Sequence, residues 1–178
     1  NDSLMVRPLT GPGSRFVGLG TQLHSCVWSP DGRWIACISG NWIAFVPGPL
    51  FGNRGSSAIV VFPAAGGPGV TITDLEYAYQ SPAWSADSRF LWVISNRDGH
   101  HGEVFAIPIG RDGRPDGAFR KAGLTAEAIS LSAGRMAYAV STRYANAWSL
   151  PIPPETEPGP VGLGQAARVT LGNQVVEI

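Results

Sequence analysis

The sequence has little charge and no long apolar run, and each shortage excludes a class of protein. Thirteen basic residues balance thirteen acidic ones, and charged residues make up only 15% of the chain. Nucleic-acid binding requires a basic surface, so this balance argues against a nucleic-acid partner. The apolar runs are short and interrupted by Gly or Pro, so no direct membrane insertion is expected.

Cysteine is also scarce, since Cys26 and Cys37 are the only two. A count of two does not identify a redox compartment. Both residues fall on adjacent predicted strands of one hairpin, so a disulfide and a pair of free thiols both stay open. Small buried cysteines are common in protein cores, and we therefore expect free thiols.

Long amphipathic helical patterns are missing as well, whereas turn-forming residues are frequent. The chain of 178 residues contains 23 Gly and 15 Pro, with strongly apolar segments between them. This composition is typical of many short strands joined by tight turns. We therefore predict an all-β protein.

Three segments of the chain resemble one another. Their anchor residues, Trp28, Trp84 and Leu131, are separated by 56 and 47 residues, a spacing typical of propeller blades. The segments are CVWSPDGRWIACIS (Cys26–Ser39), PAWSADSRFLWVIS (Pro82–Ser95) and ISLSAGRMAYAVS (Ile129–Ser141).

The strands that follow the repeated turns are apolar at nearly every position. Consecutive side chains of a strand point to opposite faces of its sheet, so Trp34–Ile38 and Phe90–Ile94 predict strands that are covered on both sides. Sheets stacked face to face around an axis provide this cover. The sequence therefore predicts a partial β-propeller built from four-stranded antiparallel blades.

The repeat also predicts the blade boundaries within a single partial propeller spanning 1–178. Propellers close with about four to eight blades, so we expect a piece of a longer chain whose remaining blades are partners of this segment. The predicted parts are 1–22 (the end of a preceding blade), 23–74, 79–122 and 127–171 (three blades), and 173–178 (the start of the next blade).

The repeats resemble the TolB-type, WD-like propeller repeats of bacteria, whose units read roughly P-x-W-S-P-D-G-R-x-I-A-Y-x-S. Trp28–Ser39 and Pro82–Ser95 match this pattern well, whereas Ile129–Ser141 lacks the Trp and one turn residue. NAWSLP (Asn146–Pro151) also resembles propellers at the C-terminal ends of bacterial sensor and regulatory proteins. The resemblance implies a scaffold or sensor module of a larger protein, and it favours a periplasmic or other extracytoplasmic location while leaving a cytoplasmic one open.

One end of the predicted propeller collects loops rich in aromatic and polar residues, namely GNWIAFVPGPLFGNRGSS (40–57), DLEYAYQ (74–80), NRDGHHGE (96–103) and TRYAN (142–146). Binding groups concentrate on loops held by rigid scaffolds, so this end is the candidate face for a protein, a peptide or a small polar ligand. The long loop Gly40–Ser57 could instead cover the edge of its own blade. The candidate residues are Trp42, Phe45, Phe51, Arg97, His100, His101, Arg143 and Tyr144.

Catalytic, metal and cofactor signatures are not found in the sequence. His100 and His101 lack the further ligands of a zinc site, and no G-x-S-x-G elbow is present. Ser29 and Ser85 belong to the repeated turns, and Trp28, Trp84 and Trp148 are assigned to core positions of the repeat. We expect no metal, no cofactor and no catalytic residue in this segment.

Two functions of different classes stay open. The first is a non-catalytic binding module, which the repeats and the lack of a catalytic signature favour. The second is the substrate-gating propeller of a serine peptidase of the prolyl-oligopeptidase or tricorn kind, with its catalytic domain outside this segment. A sialidase-like enzyme is disfavoured because the required arginine cluster is not evident.

Overall fold

The structure is a computed structural model that describes residues 1–41, 55–99, 102–140, 148–149 and 166–169. The chain forms two compact units, Asn1–Val140 and Ser141–Ile178. The described residues form strands and turns without a helix, so they contain no helix that could cross a membrane. The predicted all-β class is confirmed.

Among the described residues, the first unit contains twelve strands and the second unit contains two. In chain order they are β1 (Asp2–Val6), β2 (Arg15–Gly20), β3 (Leu23–Trp28), β4 (Trp34–Ser39), β5 (Ala58–Pro63), β6 (Val70–Thr71), β7 (Tyr79–Trp84), β8 (Phe90–Ser95), β9 (Glu103–Pro108), β10 (Arg120–Thr125), β11 (Ala128–Ser132), β12 (Arg135–Ala139), β13 (Trp148–Ser149) and β14 (Ala167–Arg168).

Two four-stranded antiparallel sheets form the centre of the first unit. Sheet 1 has the order β3-β4-β5-β6 and sheet 2 has the order β7-β8-β9-β10, so each follows the chain from one strand to the next. The first strands of the successive repeats, β3, β7 and β11, lie beside one another. This arrangement is a partial β-propeller-like fold, as the repeat predicts.

The repeated turns have the same hydrogen bonds in both sheets. In sheet 1 the Ser29 hydroxyl donates to Asp31 Oδ1 at 2.6 Å and accepts from the Trp34 amide at 2.9 Å. In sheet 2 Ser85 repeats both bonds, at 2.6 and 2.9 Å, with Asp87 and Phe90. The serine and aspartate of the motif therefore close the turn and are fully explained by that role.

The second strand of sheet 1 is buried on both faces. Ala36 and Ile38 pack towards sheet 2, whereas Ile35 and Cys37 pack on the other side with Val17 of β2. β8 is covered in the same way, between sheet 1 and the β11–β12 hairpin. The two-sided apolar pattern of the sequence is thus explained by the stacking of sheets.

Sheets 1 and 2 are joined by one large apolar cluster and by specific polar contacts. Buried Tyr79 and Ser57 bond to each other twice, since the Ser57 hydroxyl accepts from the Tyr79 amide at 2.8 Å and donates to the Tyr79 carbonyl at 3.1 Å. The Trp84 indole donates to the Val27 carbonyl at 3.3 Å. The buried residues of the cluster are Ala36, Ile38, Ile59, Val61, Ile72, Tyr79, Trp84, Leu91, Val93, Phe105, Ile107 and Ile109.

The expectation of free thiols is wrong, because Cys26 and Cys37 form a disulfide with an S–S distance of 2.11 Å. The cause is a β-bulge in β3, where Ser25 has a φ of 50° and the pairing with β4 shifts between His24 and Val27. Two residues of β3 therefore stand opposite Cys37, and the Cα atoms of the two cysteines are 4.1 Å apart.

The tryptophans do not all occupy core positions, which corrects a second expectation. Trp84 is 5% exposed between the two sheets, but Trp28 is 49% exposed and Trp148 is 60% exposed. Trp28 stands at the same position of its repeat, yet it is not among the residues of sheet 1 that pack with β1 and β2, which include Leu23, Ile35 and Phe62. Its burial therefore depends on a neighbour that the repeat motif does not specify.

The third repeat is less regular than the first two. β11 and β12 form a two-stranded sheet whose turn, Ala133–Gly134, has positive φ angles of 48° and 73° at both residues. In the second unit β13 pairs with β14. The assignment of 127–171 to one four-stranded blade stays a prediction.

Candidate functional site

One of the eight predicted face residues, Arg97, lies in the described part of the chain. It lies two residues after the end of β8 and defines the candidate site. The other seven predicted residues lie outside the described residues: Trp42, Phe45, Phe51, His100, His101, Arg143 and Tyr144.

Arg97 is surrounded by aromatic rings. Its guanidinium carbon lies 4.4 Å from the centre of the Phe119 ring, 5.7 Å from that of Tyr77 and 5.8 Å from that of Phe105. A cation above the face of an aromatic ring is attracted by the ring quadrupole. The rings therefore hold the half-buried guanidinium in place and keep its charge at this end of the sheets.

The loops that surround Arg97 meet as the sequence predicts. The Ala78 amide, before β7, donates to Asn96 Oδ1, after β8, at 2.8 Å. The described residues of two predicted loops, DLEYAYQ (74–80) and NRDGHHGE (96–103), thus meet at one end of sheets 1 and 2. This end is where the predicted binding face was placed.

An open cleft of about 640 Å³ lies beside Arg97, between the outer strands of sheets 1 and 2. We call it the Arg97 cleft. Sheet 1 contributes residues of β6 and the segment that follows it, and sheet 2 contributes β9, β10 and the segments next to them. The lining residues are Thr71, Ile72, Thr73, Asp74, Arg97, Asp98, Phe105, Ala118, Phe119 and Lys121.

Both signs of charge line the cleft. Lys121 Nζ lies 2.5 Å from Glu103 Oε2 and 3.4 Å from Asp98 Oδ2. The hydrogen bond with Glu103, together with both carboxylates, raises the pKa of Lys121, so this amine is protonated throughout the physiological range. Asp74 adds a further exposed carboxylate on the sheet 1 side.

The tyrosine behind the cleft is not a base at neutral pH. Burial, reinforced by the nearby Asp74 carboxylate, raises the pKa of Tyr79 to about 12. Its hydroxyl lies 3.4 Å from Asp74 Oδ1 and serves as a hydrogen-bond donor. The protonated phenol therefore helps to position Asp74 at the rim.

The described residues of the cleft offer side-chain groups that can bind a ligand. Thr73 accepts a hydrogen bond from the Ile59 amide at 2.9 Å, so its hydroxyl supports the backbone. No cluster of three or more metal-ligating side chains occurs among the described residues. Arg97, Lys121 and the carboxylates offer ion pairs and hydrogen bonds, and Phe119 offers an apolar surface.

Sequence reasoning missed part of this site. Asp74 and Asp98 belong to loops that the blade geometry placed on the binding face, so their location was predictable. Phe119 and Lys121 lie at β10, the weakly patterned fourth strand, and no motif marks them. Only the packing of β10 beside the β8–β9 loop brings these two side chains to Arg97.

Comparison with known proteins does not assign the chain to a family. No family model matches it, and a search of curated proteins returns no match.

Proposed function

We propose that this chain is a non-catalytic, propeller-like module of the TolB type, part of a larger bacterial scaffold or sensor protein. Its task is to bind a protein, a peptide or a small polar ligand at the loop end. The observation that carries the proposal is the Arg97 cleft, an open site between two sheets that share one apolar core.

The chemistry of the cleft favours a polar peptide over the other ligands. Arg97 recognises carboxylates, whereas Asp74 recognises amines and amide N–H groups, and Lys121 and Asp98 form an ion pair beside them. Phe119 supports an apolar side chain between them. A peptide segment that carries both signs of charge and one apolar residue satisfies all of these groups together.

A peptide-binding screen tests the proposal. Immobilised full-length chain is probed with a random-peptide display library, and the enriched peptides are measured by calorimetry. We expect enrichment of mixed-charge peptides, with binding weakened about tenfold or more by Arg97→Ala, since a half-buried arginine packed against aromatic rings is a typical hot spot.

Arg120→Ala is the matched control, because Arg120 also lies over an aromatic ring, 5.2 Å from the centre of Phe90, but does not line the cleft. Equal losses in both variants would contradict the assignment of the cleft. Cleavage of the selected peptides in place of stable binding would overturn the non-catalytic function.

The disulfide also provides an argument about the cellular compartment in which this module is located. Disulfides persist in oxidising compartments and are rare in the cytosol, so Cys26–Cys37 favours an extracytoplasmic location. Mass spectrometry after thiol alkylation tests this point on chain produced in its native host. Two alkylated cysteines in the freshly lysed sample would contradict it.

A further inference from the structure

Some aspartates of the described chain are followed directly by glycine, a pair that can react with itself. They are Asp31, Asp98, Asp112 and Asp116. In such a pair the glycine nitrogen can attack the carboxyl carbon of the aspartate side chain, because glycine has no side chain to block the approach. A hydrogen bond that holds the glycine N–H in a turn opposes this attack. The hydrogen bonds of these glycines therefore decide which pair reacts.

Three of the glycine amides are held by the turn in which they lie. Each donates to the carbonyl of the residue three positions earlier, at 2.9 to 3.1 Å. The bonded pairs are Gly32 with Ser29, Gly99 with Asn96, and Gly113 with Gly110. Because each bond is made inside one turn, it does not depend on where other segments of the chain lie.

The aspartates before these three glycines are also held. Asp31 Oδ1 accepts a hydrogen bond from the Arg33 amide at 3.1 Å, and Asp112 Oδ1 accepts one from the Arg114 amide at 3.1 Å. Asp98 Oδ2 lies 3.4 Å from the amine of the lysine that lines the cleft. Attack on any of these carboxyl groups therefore requires the loss of existing contacts on both partners.

Asp116 and Gly117 have neither restraint. Within the part of the chain that the structure describes, the Gly117 amide makes no hydrogen bond, and the Asp116 carboxylate makes no hydrogen bond or ion pair. Both residues are exposed, and a Cβ placed on Gly117 would lie near Pro108 Cγ alone, at 3.8 Å. The carboxyl carbon and the nitrogen can therefore approach each other without the loss of a hydrogen bond.

We propose that Asp116–Gly117 is a site of spontaneous isomerisation to isoaspartate. The carboxylate takes up a proton from solvent, the Gly117 nitrogen attacks Asp116 Cγ and loses its own proton, and one carboxyl oxygen leaves with both protons as water. Water then adds to the cyclic succinimide. Cleavage at the main-chain carbonyl leaves the chain linked through Cγ, as isoaspartate, whereas cleavage at Cγ restores aspartate. One water leaves and one returns, so the net change is an isomerisation.

Isomerisation at Asp116 adds one methylene group to the main chain next to the Arg97 cleft. The Asp116 amide donates to the Pro108 carbonyl at 2.9 Å, and Arg120 is paired in the sheet with β9. The extra length must be taken up between these two points, in the segment that contains Phe119. Phe119 lines the cleft and contacts the Arg97 guanidinium, so the cleft changes shape. The reaction is independent of the proposed function, whereas its effect on peptide binding rests on it.

Peptide mapping of the full chain after storage at neutral pH tests the site. Trypsin does not cleave before proline, so Asp112 and Asp116 stay on one peptide, and electron-transfer fragmentation locates isoaspartate within it. We expect isoaspartate to accumulate about tenfold faster at Asp116 than at Asp112, the factor that one typical hydrogen bond supplies. Equal rates at the two positions would overturn the proposal, as would faster accumulation at Asp31 or Asp98.

The unfolded chain is the matched control for this selectivity. In urea with the disulfide reduced, all the aspartate–glycine pairs lack their turns, so they should form isoaspartate at similar rates. A preference for Asp116 that persists in urea would overturn the proposal, because the neighbouring sequence and not the fold would then select the site. Asp116→Glu should stop the reaction at this position, since glutamate closes the corresponding larger ring much more slowly.

Nuclear magnetic resonance tests the expected displacement of Phe119. The Arg97 guanidinium lies 4.4 Å from the centre of the Phe119 ring, so the Arg97 Nε–H signal is sensitive to the ring current. We expect this signal to shift in the isomerised chain and to stay in place in Asp116→Glu stored under the same conditions. An unchanged Arg97 signal in isomerised chain would overturn the effect on the cleft, whatever the peptide screen finds.

Discussion

At the scale of single residues, the aspartate of each repeated turn carries the clearest electrostatic signal. Partial burial by itself would raise the pKa of Asp31. The hydrogen bonds from the Ser29 hydroxyl and the Arg33 amide, together with the Arg33 guanidinium 2.7 Å away, outweigh that effect and lower the pKa to about 2. The pKa of Asp87 is lowered by the matching bonds from Ser85 and Arg89.

The lowered pKa of Asp31 predicts a pH-dependent contribution to stability. The folded pKa of about 2 lies below the ordinary value of 3.8. The stabilisation is therefore complete above pH 4 and is lost as the pH falls from about 4 to about 2. Asp31→Asn should lower the free energy of unfolding by about 1 kcal/mol at pH 7, since the pair is partly solvent-screened, and by less at pH 2.5.

Urea unfolding of the native chain and the variant across this pH range measures the effect. Glu76→Gln, which alters an exposed carboxylate in the segment before β7, serves as the control. A difference between native chain and Asp31→Asn that stays constant from pH 7 to pH 2.5 would contradict the assignment.

At the scale of the strand pair, the bulge in β3 brings Cys26 opposite Cys37 and so allows the disulfide. The same bulge occurs in β7, where Ser81 also has a φ of 50° and the register shifts between Gln80 and Ala83. There the two facing positions hold Pro82 and Val93 instead of cysteines. The bulge is therefore part of the repeat, and the disulfide is an addition to it.

The disulfide closes a short loop and should stabilise the chain by constraining the unfolded state. For the sequence separation of 11 residues, chain entropy predicts about 2–3 kcal/mol. Reduction, or the paired change Cys26→Ser with Cys37→Val, should lower the free energy of unfolding by that amount. The valine is the residue that the second repeat places at this site.

Denaturant unfolding with and without reductant measures this contribution. The paired variant must be insensitive to reductant, and its sheet content by circular dichroism should match that of the native chain. A native chain with the same midpoint in both conditions would contradict the prediction.

The turn between β9 and β10 contacts sheet 1 through a glycine. Gly113 has a φ of 77°, and a Cβ placed there would lie 2.6 Å from Trp34 Cζ3. Gly32 has a similar φ of 72° but has open space around it. Alanine at Gly32 therefore reports the cost of the left-handed backbone alone, whereas alanine at Gly113 adds the cost of a clash with the Trp34 ring.

Alanine substitutions at these two positions should differ in their effect. Gly32→Ala should cost about 1 kcal/mol, because only the left-handed backbone disfavours a side chain. Gly113→Ala should cost about 2–4 kcal/mol, since the Trp34 ring must also move. Thermal and urea unfolding of both variants gives the comparison, and equal losses would show that Trp34 adapts freely.

At the scale of the first unit, the two four-stranded sheets share one core and should unfold together. Ile59 of sheet 1 is fully buried in the cluster that also contains Leu91 and Phe105 of sheet 2. Few polar contacts, among them Ser57–Tyr79 and Trp84–Val27, fix the relative position of the sheets. Stacked repeats are stabilised mainly by such neighbour interfaces.

Ile59→Ala tests this coupling. Loss of a buried isoleucine side chain costs about 2–5 kcal/mol. We expect tryptophan fluorescence and far-ultraviolet circular dichroism to shift together to a lower denaturant midpoint. Leu75→Ala, at a residue that is 64% exposed, should change little. Separate transitions for the two signals would show that the sheets unfold independently.

Much of the fold was predictable from local sequence. The bounds of β4 and β8 agree with the apolar segments WIACIS and FLWVIS, because burial on both faces leaves an unbroken apolar run. The repeated turns were predictable for a similar reason, since Pro, Asp and Gly favour one backbone geometry. The meeting of the Asp74 and Arg97 loops followed from the up-and-down order of strands.

The amino-acid sequence by itself determined which segments become strands, where they turn and which strands are covered twice, because these depend on local pattern and spacing. Tertiary structure alone decided the pairing of Cys26 with Cys37, the exposure of Trp28 and the place of Phe119 beside Arg97. Each of these depends on how one strand or sheet lies against another. The register of a strand pair, the cover of a sheet edge and the contact between a loop and a strand all arise from how separate segments pack together, and no single stretch of residues encodes them.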